Sequence, residues 1–139
     1  MSRAPDGVLF LCADGACLGP MAEALMRRGW PGRAALSAAV EPGHLRRVAR
    51  ALLADRGMPT AGLRARGLRE VDWEEIAEVI VLNERISLPP LPSRVAVQVW
   101  ATPDPLSGPP GEHRESCEAA LERIEARLRR MLGPPDPRR

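Results

Sequence analysis

Cysteine is scarce in this 139-residue chain: Cys12, Cys17 and Cys117 are an odd number and lack the spacing of a disulfide framework. Only His44 and His113 are available as imidazole ligands, so no structural zinc site, and no metal or other cofactor, is expected. No apolar stretch approaches the roughly 20 residues that a membrane span needs. No basic segment followed by an apolar run and a small-residue cleavage site opens the chain. Neither sign of charge dominates, since 20 Lys+Arg stand against 18 Asp+Glu with acids scattered among the bases. Nucleic acid is therefore not an expected partner, nor is a membrane, and the expected location is cytoplasmic.

What is present is the balance of a soluble globular protein, 45% hydrophobic and 27% charged, in a length that can bury a core without cross-links. One domain is expected over residues 1–133, followed by a frayed tail over 134–139. Residues 7–12, Gly-Val-Leu-Phe-Leu-Cys, form a short continuous apolar run stopped by Ala13-Asp-Gly-Ala, the pattern of a strand buried on both faces. Gly19-Pro20 marks a helix start, because proline is tolerated in the first turn, where its missing N–H is not needed.

A weaker strand is expected over 34–40. A helix follows from about residue 43, with Leu45, Val48, Ala49, Leu52 and Leu53 on one face and Gly57 as its stop. A short acidic helix over 72–76 leads into a strand over 78–82, and a further strand spans 94–100. Residues 102–111 hold four prolines and read as a loop, and a helix over 112–132 closes the chain. The alternation predicts an α/β fold: a doubly wound, four-stranded parallel sheet with helices on both faces.

In such sheets ligands sit beyond the carboxyl ends of the strands, where the loop from Cys12 to Gly19 falls. A loop entering a helix N-terminus offers unpaired N–H groups and the positive end of the helix dipole to an anion. The same field would lower the pKa of Cys12 and arm it as a nucleophile. Cys117 shares a helical face with Leu121, Ile124, Leu128 and Met131 and reads as core.

The run from Val8 through Cys12-Ala-Asp-Gly-Ala-Cys17-Leu-Gly-Pro20 to Met-Ala-Glu-Ala-Leu25 resembles the opening of the low-molecular-weight protein-tyrosine phosphatases and the related thioredoxin-coupled arsenate reductases. That family begins with a strand, then cysteine, five residues, arginine, serine, and Met-Ala-Glu-Ala. The resemblance implies the phosphotyrosine protein phosphatase I-like fold. It implies Cys12 as nucleophile, Asp104 of Asp104-Pro105 as general acid and then base, and an anion-binding loop of Ala13, Asp14, Gly15, Ala16, Cys17, Leu18 and Gly19. It also implies Cys17 as a redox partner that pairs with the nucleophile. Trp100, four residues before Asp104, is similar to the Trp-x-x-Pro-Asp-Pro pattern of the arsenate-reductase branch.

The chain departs from that pattern where it matters most. Leu18 stands in place of the loop arginine, whose loss could cost on the order of 10³ to 10⁵ in rate by analogy with other phosphoryl-transfer arginines. Gly19 replaces the serine that steadies the thiolate, and Asp14 adds a negative charge to a loop meant for an anion. Arg46, Arg64 and Arg114 are candidates to substitute for the missing guanidinium. Residues 83–92 contain no relay cysteine, tyrosine is absent from the whole chain, and Leu106 stands beside Asp104-Pro105 where phosphatases carry aromatic residues.

The function implied by the resemblance is a cysteine-based phosphomonoester hydrolase, weak or inactive because of Leu18. Two alternatives remain open at this point: a non-catalytic pseudophosphatase holding an oxyanion or a phosphorylated protein, and a Cys12/Cys17 thiol module served by a thioredoxin-like reductant.

Overall fold

The computed structural model describes residues 4–83 and 86–137. Its elements run β1 (Gly7–Cys12), α1 (Leu18–Gly29), β2 (Ala35–Ala39), α2 (Arg47–Asp55), β3 (Arg66–Gly67), β4 (Ile76–Asn83), β5 (Ala96–Thr102) and α3 (His113–Leu132). Three 3₁₀ turns, Leu68–Glu70, Trp73–Glu75 and Pro110–Glu112, complete them. All strand pairings are parallel, in the order β3-β2-β1-β4-β5.

The expected α/β architecture is present, with a fifth strand beside the four foreseen. The addition, β3, is two residues long and pairs Arg66 with Ala38 and Gly67 with Ala39. Nothing in Leu-Arg-Ala-Arg-Gly has strand character; the backbone simply lies along the free edge of β2. β1 sits at the centre and is wholly buried, which explains its unbroken apolar sequence.

Alternation along the strands separates two cores. Val8, Phe10 and Cys12 of β1 face one side with Ile80 and Leu82 of β4, and all three α-helices pack there. α1 contributes Met21, Leu25 and Met26, α2 contributes Leu52 and Leu53, and α3 contributes Cys117, Leu121, Ile124 and Leu128. Leu9, Leu11, Ala38, Val79 and Val81 face the other side. That second side carries no α-helix among the described residues. It is covered by Leu68 and Trp73 of the 3₁₀ turns and by Ile86, Leu91 and Val95 of the connection to β5. Leu88-Pro-Pro-Leu-Pro in that connection cannot hold a helix, since each proline removes a donor and biases the residue before it away from helical angles. At the sheet edge Val97 and Val99 of β5 are left 48% and 55% exposed.

Two hydrogen bonds join the chain after α3 to the end of α1. Trp30 Nε1 donates to the Gly133 carbonyl at 3.0 Å, and the Asp136 amide donates to the Gly29 carbonyl at 2.6 Å. Residues 138 and 139 of the tail lie outside the described residues.

Candidate functional site

β1 delivers Cys12 to the carboxyl edge of the sheet, and the chain loops from there into α1. Leu18 and Gly19, the last two loop residues, already form the first turn of the helix, with Cys17 as N-cap. The loop is held on several sides. The Ala13 amide donates to Asn83 Oδ1 at 2.8 Å, and the carbonyls of Ala13, Asp14 and Ala16 accept from the amides of Glu41, Gly43 and Arg46. Gly15 makes the turn at φ 75°, and a methyl group there would lie 2.6 Å from the Ala65 Cβ, so only glycine fits.

The amides of Gly15 and Gly19 are aimed at the Cys12 sulfur, as the family-like loop requires. Yet the sulfur is buried, and its S–H donates to the Ala38 carbonyl at 3.5 Å. Burial raises the pKa of this thiol from 9.0 to about 11, against the pull of the two amides, and the Asp14 carboxylate adds to the rise. The helix dipole is outweighed because the sulfur has lost its water. The exposed Asp14 closes a local turn of the loop, its Oδ1 accepting from the Ala16 amide at 2.9 Å. One backbone donor of the loop is thereby occupied by the protein's own carboxylate.

Leu18 is 4% exposed and packed in the core, so no polar group extends from that position. The three candidate substitutes do not replace it. Arg64 pairs with Glu70 at 3.1 Å, and Arg114 pairs with Asp55 at 3.0 Å and Glu118 at 3.5 Å. Arg46 caps α2 with its backbone, its amide bonded to the Ala16 carbonyl, and its side chain is exposed.

The thiol of Cys17 interacts directly with that of Cys117 on α3, the Cys17 proton being held more firmly and the Cys117 thiol titrating lower as a result. Cys117 is fully buried in the core, as its spacing indicates. The carboxylates of Asp104 and Asp14 both push the Cys17 thiol up, Asp14 also acts on Cys12, and Asp104 also acts on Cys117. Asp104 Oδ1 accepts from the Leu106 amide at 2.9 Å, and the residue lines a cavity of about 360 Å³ with Thr102, Ser107, Ser116 and Arg123. Trp100 packs in the core with its ring 6.4 Å from that of Phe10.

Sequence reasoning missed two supports of the loop. Glu23 of α1 is 1% exposed and accepts from the Ser37 amide at 2.8 Å and the Ser37 hydroxyl at 2.9 Å, while Arg27 at 2.6 Å and Arg66 at 3.4 Å neutralise it. It ties the helix that follows the loop to β2. Asn83, the other support, is detectable only as a polar residue ending an apolar strand. A second cavity, of about 440 Å³, opens beside the loop and is lined by Gly43, His44, Arg50, Leu63 and Arg64. Among the described residues no cluster of three or more His, Cys, Asp or Glu could hold a metal ion, and no helix is long and apolar enough to cross a membrane.

The profile of the family described as low molecular weight phosphotyrosine protein phosphatase matches residues 7–134. None of the curated proteins matches the chain in sequence. Among solved structures, an arsenate reductase from Archaeoglobus fulgidus is 27% identical with a TM-score of 0.70, over 87% of this chain and 98% of its own. An arsenate reductase in the phosphate binding state is 21% identical with a TM-score of 0.77, over 91% and 95%. The tyrosine phosphatase Wzb from Escherichia coli K30 in complex with sulphate is 22% identical with a TM-score of 0.68, over 92% and 99%.

Proposed function

The chain belongs to the low-molecular-weight phosphotyrosine protein phosphatase family, and we propose that within it this protein keeps the loop architecture while its cysteine-based phosphomonoester hydrolysis is weak or absent. The state of Cys12 carries the reading. With its pKa near 11, roughly one molecule in 3,000 holds a thiolate at pH 7.5, about a hundredfold fewer than an ordinary thiol of pKa 9.0 would. Leu18 supplies no guanidinium to the equatorial oxygens, so the transition-state charge rests on backbone amides alone. Asp104, the proposed acid, has its Oδ1 engaged by the Leu106 amide at 2.9 Å. Hydrolysis of a small aryl phosphate tests this: wild type and Cys12→Ser are expected to give the same background rate, and a wild-type rate well above the variant's overturns the reading.

A specific observation favours a binding role beside this weak chemistry. The cavity with His44, Arg50 and Arg64 has basic groups and touches the loop through the Gly43 amide, which donates to the Asp14 carbonyl at 2.7 Å. An oxyanion, free or on a phosphorylated protein, suits that lining better than it suits the loop, where Asp14 occupies an amide. The arsenate-reductase alternative needs Cys12 and Cys17 to exchange before a thioredoxin-like reductant completes the cycle. It has less support, because the two sulfurs face different partners.

A further inference from the structure

The two edges of the sheet are unlike. β3 ends one edge with two residues, too short to template a further strand. β5 ends the other with seven, Ala-Val-Gln-Val-Trp-Ala-Thr, which contain no charge and no proline. Its pairing with β4 is regular from Ala96 to Val99 and shifts register only beyond, towards Thr102. The devices that usually blunt an edge are missing from Ala96 to Val99, whose outward backbone groups face no strand.

β5 also presents two chemically different sides. Val97 and Val99 lie on the side of Val79 and Val81, their register partners, and are left about half exposed. Gln98 and Trp100 point the other way, towards α3, and Gln98 Nε2 lies 3.6 Å from the Met131 sulfur. There Gln98, Trp100 and Met131 form a recess of about 250 Å³ with Arg127 and Arg130. Gln98 Nε2 donates to the Glu78 carboxylate, and Gln98 Oε1 accepts from Trp100 Nε1 at 2.8 Å, so the polar groups of the strand side are satisfied. The two guanidinium groups are not: neither makes an ion pair or a side-chain hydrogen bond among the described residues.

We propose that the β5 edge docks an extended segment of a partner protein, added as a sixth strand, in which apolar residues alternate with acidic ones. Its backbone pairs with Ala96 to Val99, its apolar residues cover Val97 and Val99, and its carboxylates meet Arg127 and Arg130 across the recess. The spacing fits. Residues three apart on a helix have Cβ atoms about 5–6 Å apart, and side chains two apart in a strand are separated by about 6–7 Å. Two acids at alternate positions therefore match the two arginines. Charge decides against a second copy of this chain as the occupant. An antiparallel edge-to-edge dimer would bring Arg127 and Arg130 towards their own counterparts, and its β5 would supply no acid. The inference depends neither on Cys12 nor on any turnover.

The test titrates the isotope-labelled full chain with the synthetic peptide acetyl-Ser-Val-Glu-Val-Glu-Val-Ser-amide, read by NMR amide signals and by calorimetry. The expected result is binding at sub-millimolar peptide, with shifts and slowed amide exchange centred on Ala96 to Val99. Affinity is expected to fall at least tenfold for the peptide with Lys in place of both Glu, and equally in Arg127→Ala with Arg130→Ala, and to weaken as salt is raised. The peptide arm leaves the protein unchanged, so the charge requirement is measured even if the double variant fails to fold. No shift at millimolar peptide overturns the proposal, as do shifts centred away from β5 or equal binding of the Glu and Lys peptides. A concentration-dependent dimer in sedimentation that Val99→Lys dissolves also overturns it, and gives the edge to a second copy.

Discussion

A methyl group at Gly19 would lie 2.7 Å from the Cys12 sulfur and 3.2 Å from the Ser37 Cβ. The thiol thus occupies space that any side chain at position 19 needs. A serine at position 19 would therefore crowd the sulfur and Ser37. Gly19→Ser is expected to lower stability by about 1–3 kcal/mol, the cost of overpacking. Urea unfolding measures this, and an unchanged midpoint would show that the sulfur swings away freely.

Stability above neutral pH should report the buried thiol. Its folded pKa is raised from 9.0 to about 11, so the folded state holds the proton more tightly than the unfolded state between those values. The slope of stability with pH is then negative: the contribution is complete below pH 9 and is lost as pH rises through 11. The loss is about 2–3 kcal/mol. Wild type should fall more steeply than Cys12→Ser over this window in urea titrations, and parallel curves would contradict it.

Glu23 makes a third case. Its carboxylate is buried and satisfied by Ser37, Arg27 and Arg66. Glu23→Ala should destabilise the fold by about 3–5 kcal/mol, because it leaves buried donors and cations without their acceptor. Arg27→Ala should cost less than about 1 kcal/mol, since that side chain is half exposed. Equal losses in the two variants would place the energy elsewhere.

Phosphate should raise the melting temperature by mass action if the basic cavity holds an oxyanion. The shift at tens of millimolar phosphate is expected to persist in Cys12→Ser and to disappear in Arg50→Ala with Arg64→Ala. A shift lost in Cys12→Ser and kept in the arginine variant would return the site to the loop.

Much of the fold is legible in the sequence because β1, β4 and the helices follow clear hydrophobic periods. The two-residue β3 is not, since its pairing is decided by the neighbouring edge of β2 and not by Arg66 or Gly67 themselves. The covering of the second sheet face by turns and loop residues follows from Leu88-Pro-Pro-Leu-Pro, a run whose prolines exclude the helix that the alternation calls for. At the site, the loop and its lost arginine are visible as residues. The direction of the sulfurs is not: Cys12 and Cys17 are five positions apart and suggest a pair, yet Cys17 sits at a helix start, from which its side chain reaches α3. Glu23 escapes notice because a carboxylate in a helix is ordinarily solvated, and only burial reveals its role.

The central claim is that Cys12 is a protonated, withdrawn thiol at neutral pH. Alkylation of Cys12 by iodoacetamide, followed site by site by mass spectrometry from pH 6 to 11.5, measures it most directly. Slow alkylation at neutral pH that accelerates with pH towards a midpoint near 11 is expected, and a midpoint below 7, as for an activated nucleophile, would contradict a protonated, buried thiol.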